Sequence, residues 1–129
     1  MKLLVEKSRL KGTVAIPGSK SHTIRAVAIA SLAEGASLIR DPLDSSDTRA
    51  AVACYSALGA AIDTSDPECW KVSGTGGRII APEEIIDVGN SGTTLRVAMG
   101  SAALTAPDKG IRFTGDEQIQ TRPVGPLID

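Results

Sequence analysis

The chain has 129 residues, of which 42% are apolar and only 2% aromatic, and its 14 Lys and Arg nearly balance 15 Asp and Glu. That length holds one domain with a real core, while a net charge of -1 leaves no footprint for nucleic acid or an acidic membrane surface. Cys54 and Cys69 lack a C-x-x-C spacing or a His cluster, and neither a secretory h-region nor a membrane-spanning apolar run is present, so the expectation is a cytoplasmic protein with a small-molecule partner and no metal.

In chain order, residues 3–6 and 12–16 are predicted strands joined by a basic turn. The stretch PGSKSHTIR follows, from Pro17 to Arg25. Pro17 cannot extend a ladder and Gly18 frees the backbone to bend. The helix start beyond them presents open N–H groups beside Lys20, Ser21 and Thr23, a combination suited to a phosphate or carboxylate. Arg25 adds a guanidinium fork. A plain N-cap with a solvated lysine explains the same residues, and the spacing is not that of a P-loop.

The helix is predicted over residues 21–33, and IRAVAIASLA is apolar on nearly every side, which places it inside a core. Gly35 is its expected C-cap, followed by a strand over residues 37–40. Capping residues at 44–47 open a second helix to about Leu58, with Val52, Tyr55 and Leu58 on its buried face. Strands are predicted at residues 61–64 and 69–73, then a flexible glycine connection through residues 73–78, then a strand over residues 85–88. GNSGTT, residues 89–94, leads into a third apolar helix ending near Leu104. Gly92 would let the backbone approach an oxyanion, with Asn90 and Thr93 as side-chain donors, although a tightly packed helix start reads the same way.

These segments repeat. Gly18 and Gly89 each follow a predicted strand, and Thr23, Ile24 and Arg25 match Thr94, Leu95 and Arg96 at an offset of 71 residues. With a small insertion around Pro107, Arg40 and Asp41 align with Gly115 and Asp116, and Thr48 and Arg49 with Thr121 and Arg122. The first unit covers residues 12–73 and the second, incomplete, residues 85–129, so the expectation is the front part of a longer protein. Taken alone, Arg122 before Pro123 reads as a surface arginine, with Pro123 suited to a helix's first turn.

Three ordered motifs, PGSKSHTIRAVAIASLAEG with DPLDSSDTRA, DVGNSGTTLR, and the GD with RPVGPL near the end, resemble the N-terminal part of the 5-enolpyruvylshikimate-3-phosphate synthases. The sister UDP-N-acetylglucosamine enolpyruvyl transferases typically carry Lys-Asn where Lys20 and Ser21 stand, and a Cys in the loop that here runs through residues 116–121 without one. Gln120 stands where an arginine is common. The resemblance implies an α/β enolpyruvyl transferase fold of repeated β-α-β-α-β-β units, with buried helices and outer sheets, of which this chain covers under two. It also implies that residues 1–11 pack with another domain and that residues 12–129 form a partial domain.

The implied reaction transfers the enolpyruvyl group of phosphoenolpyruvate to the 5-hydroxyl of shikimate 3-phosphate, in aromatic amino acid biosynthesis, without cofactor and in a full-length monomer. Lys20, Ser21 and Arg25 would contact shikimate 3-phosphate. Lys20, Gly92 and Arg122 would hold phosphoenolpyruvate, Asn90 would shape the loop, and glyphosate would compete. Lys20 is the nearest catalytic candidate, acting as a fixed positive charge, and the resemblance gives His22 no role. The acid and base carboxylates would lie beyond Asp129, so the chain alone is expected to be inactive. The alternatives are a non-catalytic anion-binding or structural module, or the related UDP-N-acetylglucosamine enolpyruvyl transferase.

Overall fold

A helix starts where side chains can satisfy its first N–H groups, and each long helix of this chain has such a cap. In the computed structural model, which describes residues 2–9, 11–106, 108–123 and 125, Ser19 caps α1 (Lys20–Leu32) by accepting from the His22 N–H. Ser45 and Thr48 form a reciprocal capping box at the head of α2 (Ser46–Ala57). Ser91 caps α3 (Gly92–Ala102) by accepting from the Thr94 N–H. The first helix ends at Ala33 rather than Gly35, but Gly35 has the left-handed φ of +82° that turns the chain into β1 (Ala36–Arg40).

β1 pairs antiparallel with β3 (Cys69–Ser73), which pairs antiparallel with β2 (Ala61–Asp63), giving the order β1-β3-β2. β4 (Ile86–Asp87) pairs parallel with β5 (Phe113–Thr114), and a short α4 (Glu117–Thr121) follows. The three long helices pack on one another, with the larger sheet against α1 and the β4–β5 ladder reached through α2. Ile24 and Val27 of α1, Ala51, Cys54 and Tyr55 of α2, Trp70 and Val72 of β3, and Leu95 and Ala98 of α3 form one buried cluster. Each large side chain in it contributes about 1.5–3 kcal/mol by leaving water. Tyr55 Oη meets Ser101 Oγ at 2.8 Å, so the one buried phenol keeps a partner and ties α2 to α3. Burial pushes the Cys54 thiol up to about 12, which leaves it a protonated core residue.

Two expectations need correction. Residues 3–6 and 12–16 are not strands: they join no ladder, and Leu3, Leu4, Val5, Val14 and Ile16 are 74–88% exposed. An apolar β-type segment becomes a strand only when another edge supplies partners for its N–H and C=O groups, and no described residue does so here. The helix α1 is covered on most of its surface but not all round, since Ile29 is 70% exposed and Arg25 is also exposed, one turn apart on the same face. Pro123 lies beyond α4, whose C-cap is Arg122, and two residues before Gly125, which lies in a 3₁₀ turn. The insertion at Pro107, and the end of the RPVGPL motif, lie outside the described residues.

Candidate functional site

The two glycine loops are held by contacts that only small residues allow. A Cβ on Gly18 would stand 2.6 Å from the Asp41 carbonyl oxygen, and one on Gly115 would stand 2.6 Å from that of Gly89. In each unit, therefore, the loop before the helix is clamped against the turn that follows the next strand. Asp41, at φ +49°, is the one described non-glycine residue in the left-handed region. Thr23 Oγ1 secures the first clamp by accepting from the Leu43 N–H at 3.0 Å, and the Asp116 N–H secures the second by donating to the Gly89 carbonyl at 3.0 Å.

Lys20 leaves the first turn of α1 and meets Asp47 Oδ2 at 2.7 Å, with its side chain 51% exposed and that of Asp47 20%. Asp47 lies in the first turn of α2, and its carbonyl accepts from Thr94 Oγ1 in the first turn of α3 at 3.4 Å. The starts of all three long helices are thus brought together, and Asp47 bridges the loop of the first unit to that of the second. Ser21 is half-buried and its carbonyl accepts from Arg25 Nη1 at 3.2 Å.

In the second loop, Asn90 does not offer a free amide. Its Nδ2 donates to Asp116 Oδ2 at 2.7 Å and to Gln118 Oε1 at 3.2 Å, while Asp116 Oδ1 caps α4 through the Ile119 N–H. Gly92 is buried, and its N–H lies on the Asn90 carbonyl at 3.2 Å, so the donor expected to face an anion is already engaged within the loop. Over the missing side chain of Gly92 lie two guanidinium groups: Arg122 Nη1 is 2.9 Å and Arg96 Nη1 3.1 Å from where a Cβ would stand. Gln120, at the position where arginine was expected, donates instead to the Gly115 carbonyl at 2.8 Å. A mainly apolar pocket of about 290 Å³ lined by Leu95, Met99, Phe113 and Ile119 adjoins Gln120 and Arg122.

A sequence profile described as EPSP synthase (3-phosphoshikimate 1-carboxyvinyltransferase) matches residues 4–129, almost the whole chain. The chain belongs to the EPSP synthase family. Among its relatives, the 3-phosphoshikimate 1-carboxyvinyltransferase of Acetivibrio thermocellus is 54% identical over 99% of this chain and 30% of its own length. That of Methanothermobacter thermautotrophicus is 48% identical over the whole chain and again 30% of its own length. The solved EPSP synthase of Acinetobacter baumannii superposes with a TM-score of 0.77 at 27% identity, over 87% of this chain and 25% of that one. The chain therefore spans about 30% of the length of the curated relatives it matches. This likeness places its α/β fold with the EPSP synthases.

Of the sequence-predicted residues, Lys20 and Arg25 share the start of α1, and Asn90, Gly92 and Arg122 surround the start of α3. Sequence reasoning passed over Asp47, Asp116 and Arg96. Asp47 and Asp116 were read as a capping residue and as part of a motif, and only the folded chain puts their carboxylates on Lys20 and Asn90. For Arg96 a signal existed, since the repeat pairs it with Arg25. No described helix is long and apolar enough to cross a membrane, and no described His, Cys, Asp and Glu residues cluster as metal ligands.

Proposed function

We propose that this chain supplies the substrate-binding loops of a 3-phosphoshikimate 1-carboxyvinyltransferase, which moves the enolpyruvyl group of phosphoenolpyruvate onto the 5-hydroxyl of shikimate 3-phosphate and releases phosphate. One observation supports this reading above the others. A continuous run of contacts passes from Lys20 through Asp47 and Thr94 to the start of α3, where Arg122 lies over Gly92, so cations from both repeats are linked through the starts of the long helices. Two anionic substrates need that arrangement, because their mutual repulsion must be offset at the place where they meet.

In this reading Lys20, Ser21 and Arg25 take shikimate 3-phosphate, and Lys20 and Arg122 take phosphoenolpyruvate, with Gly92 leaving the space beneath Arg122. Asn90, fixed by Asp116, holds the loop in shape. Lys20 is the catalytic group, as a positive charge beside the departing phosphate. No organic or redox cofactor takes part, the chain works in the cytoplasm as part of a monomer, and the acid and base carboxylates come from outside it. Glyphosate competes for the phosphoenolpyruvate site.

The test is calorimetric titration of the chain with shikimate 3-phosphate, then with phosphoenolpyruvate in its presence. A charge-assisted hydrogen bond contributes roughly 1.5–3 kcal/mol, so Lys20→Met and Arg122→Met should each weaken phosphoenolpyruvate by about 10- to 150-fold. Sharing one phosphate, they should couple by about 0.5–3 kcal/mol in a double-mutant cycle. Wild-type affinity in Arg122→Met, or strict additivity, overturns the shared site.

A further inference from the structure

Lys20 carries its charge on a flexible stem, so the ammonium stays in one place only where another group holds it. Asp47 Oδ2 does so at 2.7 Å, and the two partners are not equally free. Lys20 is half exposed, whereas Asp47 is more enclosed and stands on fixed backbone. On one side, the Ser45 and Thr48 capping box sets the turn that carries Asp47. Thr48 Oγ1 donates to the Leu43 carbonyl at 2.8 Å, and the Leu43 N–H donates to Thr23 Oγ1 of α1. On the other side, the Asp47 carbonyl accepts from Thr94 Oγ1, which in turn accepts from Ser91 Oγ, the cap of α3, at 2.7 Å. The carboxylate is the anchor and the lysine is what it anchors.

The internal repeat sets the pair apart. By the 71-residue register Lys20 falls on Ser91, and the alignment of Thr48 and Arg49 with Thr121 and Arg122 puts Asp47 on Gln120. Both charges are therefore absent from the second unit together. Ser91 caps its own helix there, and Gln120 donates to the Gly115 carbonyl. A negative charge complements any helix start, but α4 has one already in Glu117 of its first turn. The carboxylate at the Asp47 position accompanies the lysine, not the helix start.

We infer that Asp47 is a positioning residue, which holds the Lys20 ammonium where the three helix starts meet and leaves two of its three N–H donors for an anion. The inference deepens the proposed function and rests on it for the identity of that anion, shikimate 3-phosphate. Its sign is opposite to that of charge counting. Removing a carboxylate near an anion relieves repulsion, but at a half-exposed site that repulsion is screened by water and salt. A lysine released from Asp47 must instead be immobilised by the anion itself, at a cost in side-chain freedom.

The experiment reads the order of the Lys20 ε-methylene by NMR and shikimate 3-phosphate affinity by calorimetry. It compares wild type with Asp47→Asn, Asp47→Glu, Lys20→Met and the Asp47→Asn, Lys20→Met pair. Without ligand, the wild-type ε-methylene should be ordered, and Asp47→Asn should make it as mobile as that of the exposed Lys109. Asp47→Asn should weaken shikimate 3-phosphate by about 2- to 13-fold, the cost of immobilising one rotamer-rich side chain, with Asp47→Glu in between. In the Lys20→Met background Asp47→Asn should change nothing, because a residue that acts through Lys20 has nothing left to act on. A merely structural Asp47 weakens binding equally in both backgrounds, and that result overturns the inference. So does tighter binding in Asp47→Asn, or a wild-type ε-methylene as mobile as that of Lys109. If Asp47→Asn loses the native amide spectrum, Asp47→Ser, also suited to a helix start, replaces it with the same expectations. The proposed function fails separately. Shikimate 3-phosphate affinity that is absent from the wild-type chain, or unchanged in Lys20→Met, sinks that reading; the ε-methylene then decides the inference, which an ordered Lys20 released by Asp47→Asn upholds.

Discussion

The two repeats place the same dipeptide, Thr-Arg, after matching turns, and use its arginine in opposite ways. Arg49 in the first unit is fully occupied: Nε and Nη2 grip both oxygens of Asp44, Nη1 donates to Thr64 Oγ1 at 2.6 Å, and the guanidinium lies over the Trp70 ring at 5.4 Å to its centroid. Arg122 in the second unit has no carboxylate among the described residues and lies over Gly92. A carboxylate and an aromatic face within reach make one arginine a fastener. Its repeat partner has no such carboxylate among the described residues.

The units differ as well in how their first strand is held. Residues 86–87 before the second loop pair in parallel with β5, whereas residues 12–16 before the first loop stay unpaired beside no described edge. Both loops nevertheless clamp onto the turn after the following strand, through Gly18 and Asp41 in one and Gly89 and Gly115 in the other. The loop geometry is therefore a property of each unit's helix, strand and turn rather than of its leading strand.

If the helices of the two units are equivalent, breaking them should cost the same. Val27 and Ala98 stand 71 residues apart and are both fully buried, so Val27→Asp and Ala98→Asp should each remove several kcal/mol, on the order of a small domain's whole stability. Ile29→Asp, on the open face of α1, should change thermal unfolding by no more than about 0.5 kcal/mol. A cooperative melt in Val27→Asp at the wild-type temperature would refute the packing of α1.

The clamps come next in size. Gly18→Ala and Gly115→Ala force a methyl against a backbone carbonyl in both cases, and urea unfolding should register a loss of about 1–3 kcal/mol for each. If only one of them destabilises, the two loops are not built alike.

The arginine contrast predicts a crossed pattern. Arg122→Gln should leave the melting temperature nearly unchanged and weaken phosphate by about 10-fold or more, while Arg49→Gln should lower the melting temperature slightly and leave phosphate affinity alone. An equal effect of both substitutions on affinity would erase the distinction.

The smallest effect concerns acid. The hydrogen bonds from Arg49 hold the Asp44 carboxyl below its ordinary value of 3.8. A carboxyl depressed in the folded state stabilises above the unfolded value, and that contribution is lost as pH falls through the folded one. Asp44→Asn should therefore weaken the chain slightly at pH 7 and close the gap to wild type below the ordinary carboxylate range. The pair is exposed, so the difference is small. A gap that widens on acidification would contradict it.

Local signals in the sequence determined much of this protein. Ser19, Ser45 and Ser91 mark the helix starts, the glycines mark the loops, and the 71-residue register relates the two units, because caps, turns and apolar runs depend on near neighbours along the chain. Lys20 and Arg25 drew notice as cations beside a helix start in the same way, whereas Arg122 read locally as a surface arginine and was singled out only by the family resemblance. Partners distant along the chain were not. Whether residues 12–16 become a strand depends on an edge that no local pattern supplies, and whether Ile29 is buried depends on what lies across α1. Tertiary structure alone decided that Asp47 meets Lys20, that Asp116 takes the amide of Asn90, and that Arg49 is tied down while Arg122 and Arg96 turn toward Gly92. A charged side chain's role is set by which opposite charge the fold brings within a few ångströms, and that distance is fixed only when the whole chain has packed.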